Sequence, residues 1–311
     1  MKSSRVLVTG GAGVIGRELL ALLSNAGETV LSVDKNPLQQ DIPGVTHIVK
    51  NLSTDSLAEL EEFAPETIYH LAAAFERSKE SPEFFPVNWH DNVLLSHRMA
   101  ELARKVSGLK IFVFASSYLI YSPALYMSSS LPDETVYLNE EDRVSPRNLT
   151  GAAKYYTETQ LDFVRRNEKP SMRPVHARIY RVYGRGSRDV VSGWIRDALG
   201  GRELEIYNAE NRFDYIYAGD VAEGLMRLAA CPEACGVVNL GSGASRGVKE
   251  VMDAVTGFLP GARFKNLGVT EDFEQSAADM TRFKKLTGWM PPTTLEEGIR
   301  RVFEYESRRP L

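Results

Sequence analysis

The stretch TGGAGVIG, residues 9–16, directly follows the apolar run RVLV at 5–8 and opens an amphipathic segment from Val14 to Ala26. Strand, tight glycine turn and helix, in that order, form a crevice for a dinucleotide. Gly10 permits the turn, Gly13 lets the backbone approach a pyrophosphate, and Gly16 lets helix and strand pack closely. The first N–H groups of the helix, from Val14 through Ile15 to Gly16, are unpaired and carry a partial positive charge toward the phosphates. A glycine trio alone would be an ordinary loop. What decides is a second strand, Glu28 to Val33, that ends at Asp34, where an acid meets the adenosine ribose. Asp34 can accept from a free 2′-hydroxyl and repels a 2′-phosphate, so NAD is favoured over NADP. Lys35 beside it weakens that preference a little.

Strand and helix patterns alternate through the first half, as in a parallel sheet covered on both faces. Expected strands are Arg5–Val8, Thr29–Val33, Thr46–Val49, Thr67–His70, Ile111–Ala115 and Val175–Tyr180. Expected helices run near Val14–Ala26, Ser56–Phe63, Trp89–Arg104 and Gly151–Arg166. Residues 122–147 are rich in Ser, Pro and acids and lack periodicity, as a functional lid or a disordered segment would. After Gly184 the pattern turns mixed. A helix near Val190–Leu199, a strand near Glu203–Tyr207 and helices near Val248–Phe258 and Leu295–Ser307 read as a smaller lobe. The Val221–Ala230 helix and the Gly236–Leu240 strand return to the main sheet. The expected fold class is therefore α/β, a Rossmann-type doubly wound parallel sheet with a smaller mixed carboxyl-terminal lobe. Residues 1–180 and 213–241 would form the NAD-binding part, and 181–212 and 242–311 the substrate lobe.

The 311 residues can bury a large core, and 43% hydrophobic with 25% charged residues is ordinary for a soluble globular protein. A net charge of −4 gives no electrostatic reason to expect nucleic acid or an anionic membrane as partner. No apolar stretch approaches the roughly 20 residues needed to span a bilayer. The chain enters its first strand at once, which leaves no room for a signal peptide. Cys231 and Cys235, the two cysteines, are too few for a disulfide framework and complete no zinc site. A cytoplasmic location and no metal are expected.

TGGAGVIG, Asp34, YHLAA (69–73), Asn88, SSYLIY (116–121), Lys154, RIYRVYG (178–184), DYIYAGDVA (214–222) and NLGSG (239–243) occur in an order that resembles the extended short-chain dehydrogenase/reductase family. The branch it is most similar to is the NAD-dependent epimerase/dehydratase group, which acts on nucleotide sugars. That resemblance implies roles residue by residue. Asn51 and Leu52 fall where the family has Asp-Leu against the adenine. Leu71, Ala72 and Ala73 would line the pyrophosphate and ribose, with Asn88, Ser116 and Tyr180 also at the cofactor. His70 in the same motif reads as structural, because a lone histidine has no partner geometry. Ser117 takes the place of the serine or threonine that hydrogen-bonds the reacting sugar hydroxyl. Ser116 is equally readable as a plain strand-end serine. Lys154 corresponds to the lysine that holds the nicotinamide ribose. The family's dimers pair through helices equivalent to 89–104 and 151–166, so a homodimer is implied.

In the family a tyrosine stands four residues before that lysine and serves as general base and acid. Here that position is Thr150, and no tyrosine in the chain has a lysine four residues later. A phenol starts near a pKa of about 10 and can be tuned downward by a cation, whereas an aliphatic hydroxyl starts several units higher. Thr150 is therefore a hydrogen-bonding group and no base by itself. Three readings follow. The enzyme uses a substitute (Tyr118 next to Ser117, Tyr126, or water relayed through Thr150), or it binds without turning over, or it runs a reaction that is not redox. Adjacent residues in extended structure point oppositely, which weighs against Tyr118.

Family dehydratases place an acid pair directly after the Ser117 position. Tyr118 and Leu119 stand there, which argues against a 4,6-dehydratase of the usual kind. Arg181 replaces the family's phosphate-side asparagine, and Arg185, Arg188 and Arg212 lie near the same part of the pattern. Arginine forks match diphosphate or carboxylate geometry, so Arg181, Arg188 and Arg212 are expected at the substrate. Surface ion pairing is the alternative for any one of them. The expected activity is NAD-dependent epimerisation of a nucleotide diphosphate sugar. A catalytically impaired binding protein and an oxidoreductase on another alcohol or carbonyl are the alternatives.

Overall fold

The computed structural model describes residues 3–76, 80–130, 134–268 and 272–309. Seven parallel strands form the central sheet: β1 (Arg5–Thr9), β2 (Thr29–Asp34), β3 (Val45–Val49), β4 (Thr67–His70), β5 (Ile111–Ser117), β6 (Arg173–Ile179) and β7 (Gly236–Leu240). Their spatial order is β7-β6-β5-β4-β1-β2-β3, so the winding reverses between β1 and β4. Ligands of open α/β sheets bind at that reversal, beyond the carboxyl ends of the strands.

Two-residue alternation assigns each side chain to a face. Val6, Val8, Val113, Ala115, Val175 and Ala177 pack with Leu19, Leu20 and Leu23 of α1 (Val14–Asn25) and with Val221, Leu225 and Leu228 of the helix Ala218–Ala230. Leu7, Ile68, Phe112 and Phe114 face the other way, onto Met99, Leu102, Leu161 and Val164 of the helices Leu95–Lys105 and Leu149–Asn167. Fully burying each of the valine, leucine, isoleucine, phenylalanine and methionine side chains contributes about 1.5–3 kcal/mol. With both faces covered, the fold is the expected doubly wound, Rossmann-type sheet.

A third core belongs to the smaller lobe. Trp194 and Ile195 of the helix Val190–Leu199 pack with Val251 and Val255 of Val248–Phe258 and with Ile299 and Val302 of Leu295–Glu306. Phe213, Tyr215 and Tyr217 of the strand Arg212–Tyr217 join them, and that strand pairs with Arg181–Tyr183 and Ser245–Gly247.

Two expectations change. The helix expected from Trp89 is three consecutive pieces, Phe84–Asn88, a π-helical turn Trp89–Leu94, and Leu95–Lys105. The described part of 122–147 is not free loop. Its Met127–Ser128 pairs antiparallel with Phe273–Glu274, and its Val136–Leu138 pairs parallel with Ser276–Ala278. Residues 131–133 of that stretch lie outside the described ones. No helix of the described residues is long and apolar enough to cross a membrane.

Candidate active site

The glycine turn is built by close approach. Gly10 has φ 78° and donates its N–H to the Val33 carbonyl at 2.8 Å. A Cβ on Gly10 would stand 2.6 Å from the Ala72 nitrogen, and one on Gly16 would stand 2.1 Å from the Gly10 carbonyl oxygen. The turn after β1 therefore presses on the end of β4. Gly13 precedes α1 in extended conformation, and no side chain caps that helix. By contrast Asp189 and Thr294 cap their own helices. An uncapped helix start behind a turn with no side chain larger than a methyl fits a pyrophosphate. Asp34 ends β2 at the same crevice, where its carboxylate accepts from the Ala12 N–H at 3.1 Å and the Asn36 N–H at 2.9 Å. Lys35 is paired with Asp91 at 2.8 Å. Asn51 is exposed and turns its Oδ1 back on the Ser53 N–H, while Leu52 is buried beside it.

Several residues brace the crevice from below. His70 is fully buried between Thr9 Oγ1 at 2.7 Å and Ser96 Oγ at 3.0 Å. Burial, with the Lys154 charge adding, pushes its pKa down to about 3, so the ring is neutral and structural. Asn92, in the π-helical turn, clamps Ala74 by both its N–H and its carbonyl and also donates to Asn88 Oδ1. Sequence patterns gave no sign of Asn92, because its reach depends on the wider turn.

On the other side of the crevice, β5 ends at Ser117. Lys154 is buried and donates to the Ala115 carbonyl at 2.6 Å, with its Nζ 4.8 Å from the Phe114 ring centre. Burial lowers its pKa to about 8, against the opposing charge of Glu158. Gly151 is what lets the lysine's helix come close, since a Cβ there would lie 2.5 Å from the Leu119 carbonyl oxygen. Ser117 Oγ accepts from the Leu119 N–H at 3.2 Å. Ser116 points to the opposite face and donates to Glu158 at 2.5 Å, within a buried pair of Glu158 and Arg178. Its hydroxyl is therefore no cofactor ligand, and strand alternation is the reason.

Tyr118, one of the candidate substitute bases, is engaged elsewhere. Tyr118 is buried, stacks on Tyr180 with ring centres 5.0 Å apart, and donates its phenol to Glu274 at 3.1 Å. Burial pushes its pKa well up, so it holds its proton. Tyr126 is buried beside it, and burial likewise raises its pKa, to about 12. Tyr180 is buried, and its hydroxyl has no partner among the described residues. The residue that does meet Thr150 is Glu80, whose Oε1 accepts the threonine hydroxyl at 2.5 Å. The two are 70 positions apart in sequence, and the short segment that carries Glu80 has no periodic pattern.

The four expected arginines are not one cluster. Arg181 lies 3.7 Å over the Phe213 ring and reaches Glu274 at 3.2 Å, where Arg147 joins it at 2.6 Å. Arg185 pairs with Glu18 of α1, Arg212 pairs with Glu250 at 2.9 Å, and Arg188 is exposed. An open groove of about 1130 Å³ runs past Glu80, Phe85, Pro123, Met127, Arg147 and Asp272. Among the described residues no group of three or more His, Cys, Asp or Glu side chains is placed to hold a metal ion.

Residues 6–241 match the model of the NAD dependent epimerase/dehydratase family. UDP-glucose 4-epimerase of Mycolicibacterium smegmatis is 28% identical over 97% of this chain and 98% of its own length. UDP-glucuronic acid decarboxylase 2 of Arabidopsis thaliana is 30% identical over 96% of this chain and 67% of its own. Among solved structures, MoeE5 in complex with UDP-glucose and NAD superposes with a TM-score of 0.84 at 28% identity, covering 98% of this chain and 99% of that one. TunA, described as an NAD-dependent NDP-hexosamine 5,6-dehydratase, gives 0.82 at 27% identity over 99% of both chains. With residues 6–241, more than two thirds of its length, matching that model, the chain belongs to the NAD-dependent epimerase/dehydratase family.

Proposed function

We propose that this protein epimerises a nucleotide diphosphate sugar by transient oxidation with bound NAD. The observation that carries the reading is the surroundings of Ser117. Lys154 lies beneath the end of β5 beside it, whereas the next two side chains, Tyr118 and Leu119, are both buried. A dehydratase would need an acid and a base there to eliminate water. Reversible oxidation needs a residue to orient the hydroxyl, a fixed coenzyme and a proton acceptor. Relatives that include a UDP-glucose 4-epimerase support the same reading.

When bound, NAD supplies a hydride acceptor able to return what it takes. Gly10, Gly13, Val14, Ile15 and Gly16 would hold its pyrophosphate. Asp34 would hold the adenosine ribose with Lys35 at the rim, and Asn51 and Leu52 would meet the adenine. Leu71, Ala72, Ala73 and Asn88 would line the middle, and Lys154 and Tyr180 the nicotinamide ribose. Ser116 would contribute main chain alone. Ser117 would orient the sugar hydroxyl, and of the expected arginines Arg181 would meet the diphosphate. Arg181 supports this with an Nε that is buried and without a partner among the described residues.

The exposed rings of Trp89, Tyr156 and Phe163, on helical segments that Gln160 and His97 tie together, support a homodimer through that face. Two free cysteines suit a reducing cytoplasm. Thr150 favours one other reading, a protein that binds NAD and a sugar nucleotide without turnover. Incubation with UDP-glucose and UDP-glucuronic acid, each deuterated at the oxidised carbon, separates the two. Epimeric product with a primary isotope effect is expected; binding with neither product nor isotope effect would leave the second reading.

A further inference from the structure

The absent tyrosine leaves the substrate hydroxyl without its usual proton acceptor, and the structure brings one in from a distant segment. Glu80 accepts the Leu149 N–H at 2.8 Å, the Thr150 N–H at 3.0 Å and the Thr150 hydroxyl at 2.5 Å. A carboxylate at a helix start is a stabilising cap, and two N–H contacts suffice for that. The third contact does something a cap does not need. It aims the hydroxyl proton of Thr150 at a carboxyl oxygen and leaves the threonine oxygen's lone pairs to accept. At 2.5 Å it is at the short, strong end of hydroxyl-to-carboxylate bonds.

The pair also stands where the chemistry must occur. Thr150 precedes Lys154 by one helical turn, so both side chains share a face. Gly151 holds that turn against the Leu119 carbonyl, two residues beyond Ser117. Glu80 itself lines the open groove that Arg147 and Phe85 share, so a ligand has a path to it.

We infer, on the reading of this protein as an NAD-dependent enzyme that oxidises a sugar hydroxyl, that Thr150 and Glu80 together replace the phenol. Thr150 Oγ1 takes the proton of the substrate hydroxyl as its own proton passes to Glu80 Oε1. The O–H and C–H bonds break and a C=O bond forms. The proton rests on Glu80, and the C–H electron pair leaves as hydride to the nicotinamide. Reversal returns both, so the cycle consumes neither protons nor electrons. Because the two protons move together, Thr150 never has to exist as an alkoxide, the species its intrinsic acidity forbids.

The test uses the NAD-loaded full chain with UDP-glucose and UDP-glucuronic acid as probes. Glu80→Gln and Thr150→Val are each expected to slow coenzyme reduction by about 100-fold or more while NAD retention in equilibrium dialysis stays within about threefold. Thr150→Val keeps both N–H contacts to Glu80, so it serves even if Glu80→Gln folds poorly. Glu80→Asp should recover part of the rate. Acidification should slow the wild type but leave the residual rates of Glu80→Gln and Thr150→Val flat, because neither retains the relay, which a mere cap would not produce. If the wild type reduces its coenzyme and both variants stay within about threefold of it, the relay is wrong while the oxidation reading stands. If the wild type retains NAD yet reduces none of it with either sugar, the oxidation reading fails and takes the relay with it.

Discussion

Tyr118 and Glu274, 156 positions apart in sequence, are joined by a buried hydrogen bond of 3.1 Å that the phenol donates. The same carboxylate receives Arg147 and Arg181. Burial alone would raise the Glu274 pKa, but the two guanidiniums outweigh it and hold the group below the usual carboxylate range. One anion thus fastens together the end of β5, the strand Arg181–Tyr183 and the segment 122–147. The tyrosine adjoining the expected substrate serine is a structural bolt.

Removing the phenol should therefore cost stability and spare chemistry. A hydrogen bond to a charged group contributes about 1.5–3 kcal/mol, so Tyr118→Phe should lose about that much in urea unfolding. Turnover should stay within about threefold, since no proton of the reaction passes through Tyr118. A large loss of turnover with unchanged stability would restore Tyr118 as a base.

The turn after β1 can be probed where backbone leaves no room to yield. A methyl on Gly16 would lie 2.1 Å from the Gly10 carbonyl oxygen and 2.8 Å from the Gly11 Cα. Gly16→Ala must open the turn, and misplacing several phosphate donors together should weaken NAD by about 100-fold in equilibrium dialysis. Gly257 serves as control, because a Cβ there meets nothing within 4 Å. Gly257→Ala, in a helix, should leave NAD retention alone and raise stability by up to about 1 kcal/mol.

Local pattern foresaw what local pattern controls. TGGAGVIG and Asp34 are contiguous signals, and the alternation Phe112-Val113-Phe114-Ala115 states which residue faces which layer. The helix Val190–Leu199 and strand Gly236–Leu240 likewise follow from periodicity and flanking breakers. What stayed hidden depends on chain segments that meet only after folding. Met127–Ser128 and Val136–Leu138 are too short to carry a period, and they are strands because 273–278 lies beside them. Glu80 at Thr150 joins a loop to a helix start, and Glu274 at Tyr118 joins a two-residue strand to the residue after β5; in neither has charge a spacing rule. Arg185 and Arg212 looked convergent in sequence, yet Glu18 and Glu250 draw them apart.

His70 gives a pH dependence whose sign follows from burial. Its pKa is about 3 when folded, against about 6.5 in an unfolded chain. Between those values the unfolded chain takes up a proton that the folded one does not. Stability is therefore full above about pH 6.5 and falls as the pH drops, by about 1.4 kcal/mol per unit. His70→Gln keeps a polar side chain between Thr9 and Ser96 but cannot titrate. Urea unfolding between about pH 6.5 and 5, above most carboxylates, should be visibly less steep in pH for that variant than for the wild type. Equal slopes would mean that His70 is protonated within the fold.

Gly151 tests whether the helix of Lys154 must touch the end of β5. A methyl there would stand 2.5 Å from the Leu119 oxygen and 3.0 Å from its carbon, both backbone atoms of a segment tied to Arg147 and Ser145 by main-chain hydrogen bonds. Neither side can give without moving the start of the helix, so Gly151→Ala should cost about 1–3 kcal/mol as overpacking. The same displacement carries Thr150 and Lys154 away from Ser117. Misplacing groups that act in the transition state by a fraction of an ångström lowers kcat more than it raises KM. A fall in kcat of about tenfold or more, with the KM for a UDP-sugar nearly unchanged, is expected from steady-state kinetics. If Gly151→Ala kept full kcat, the close approach of helix and strand would serve packing alone.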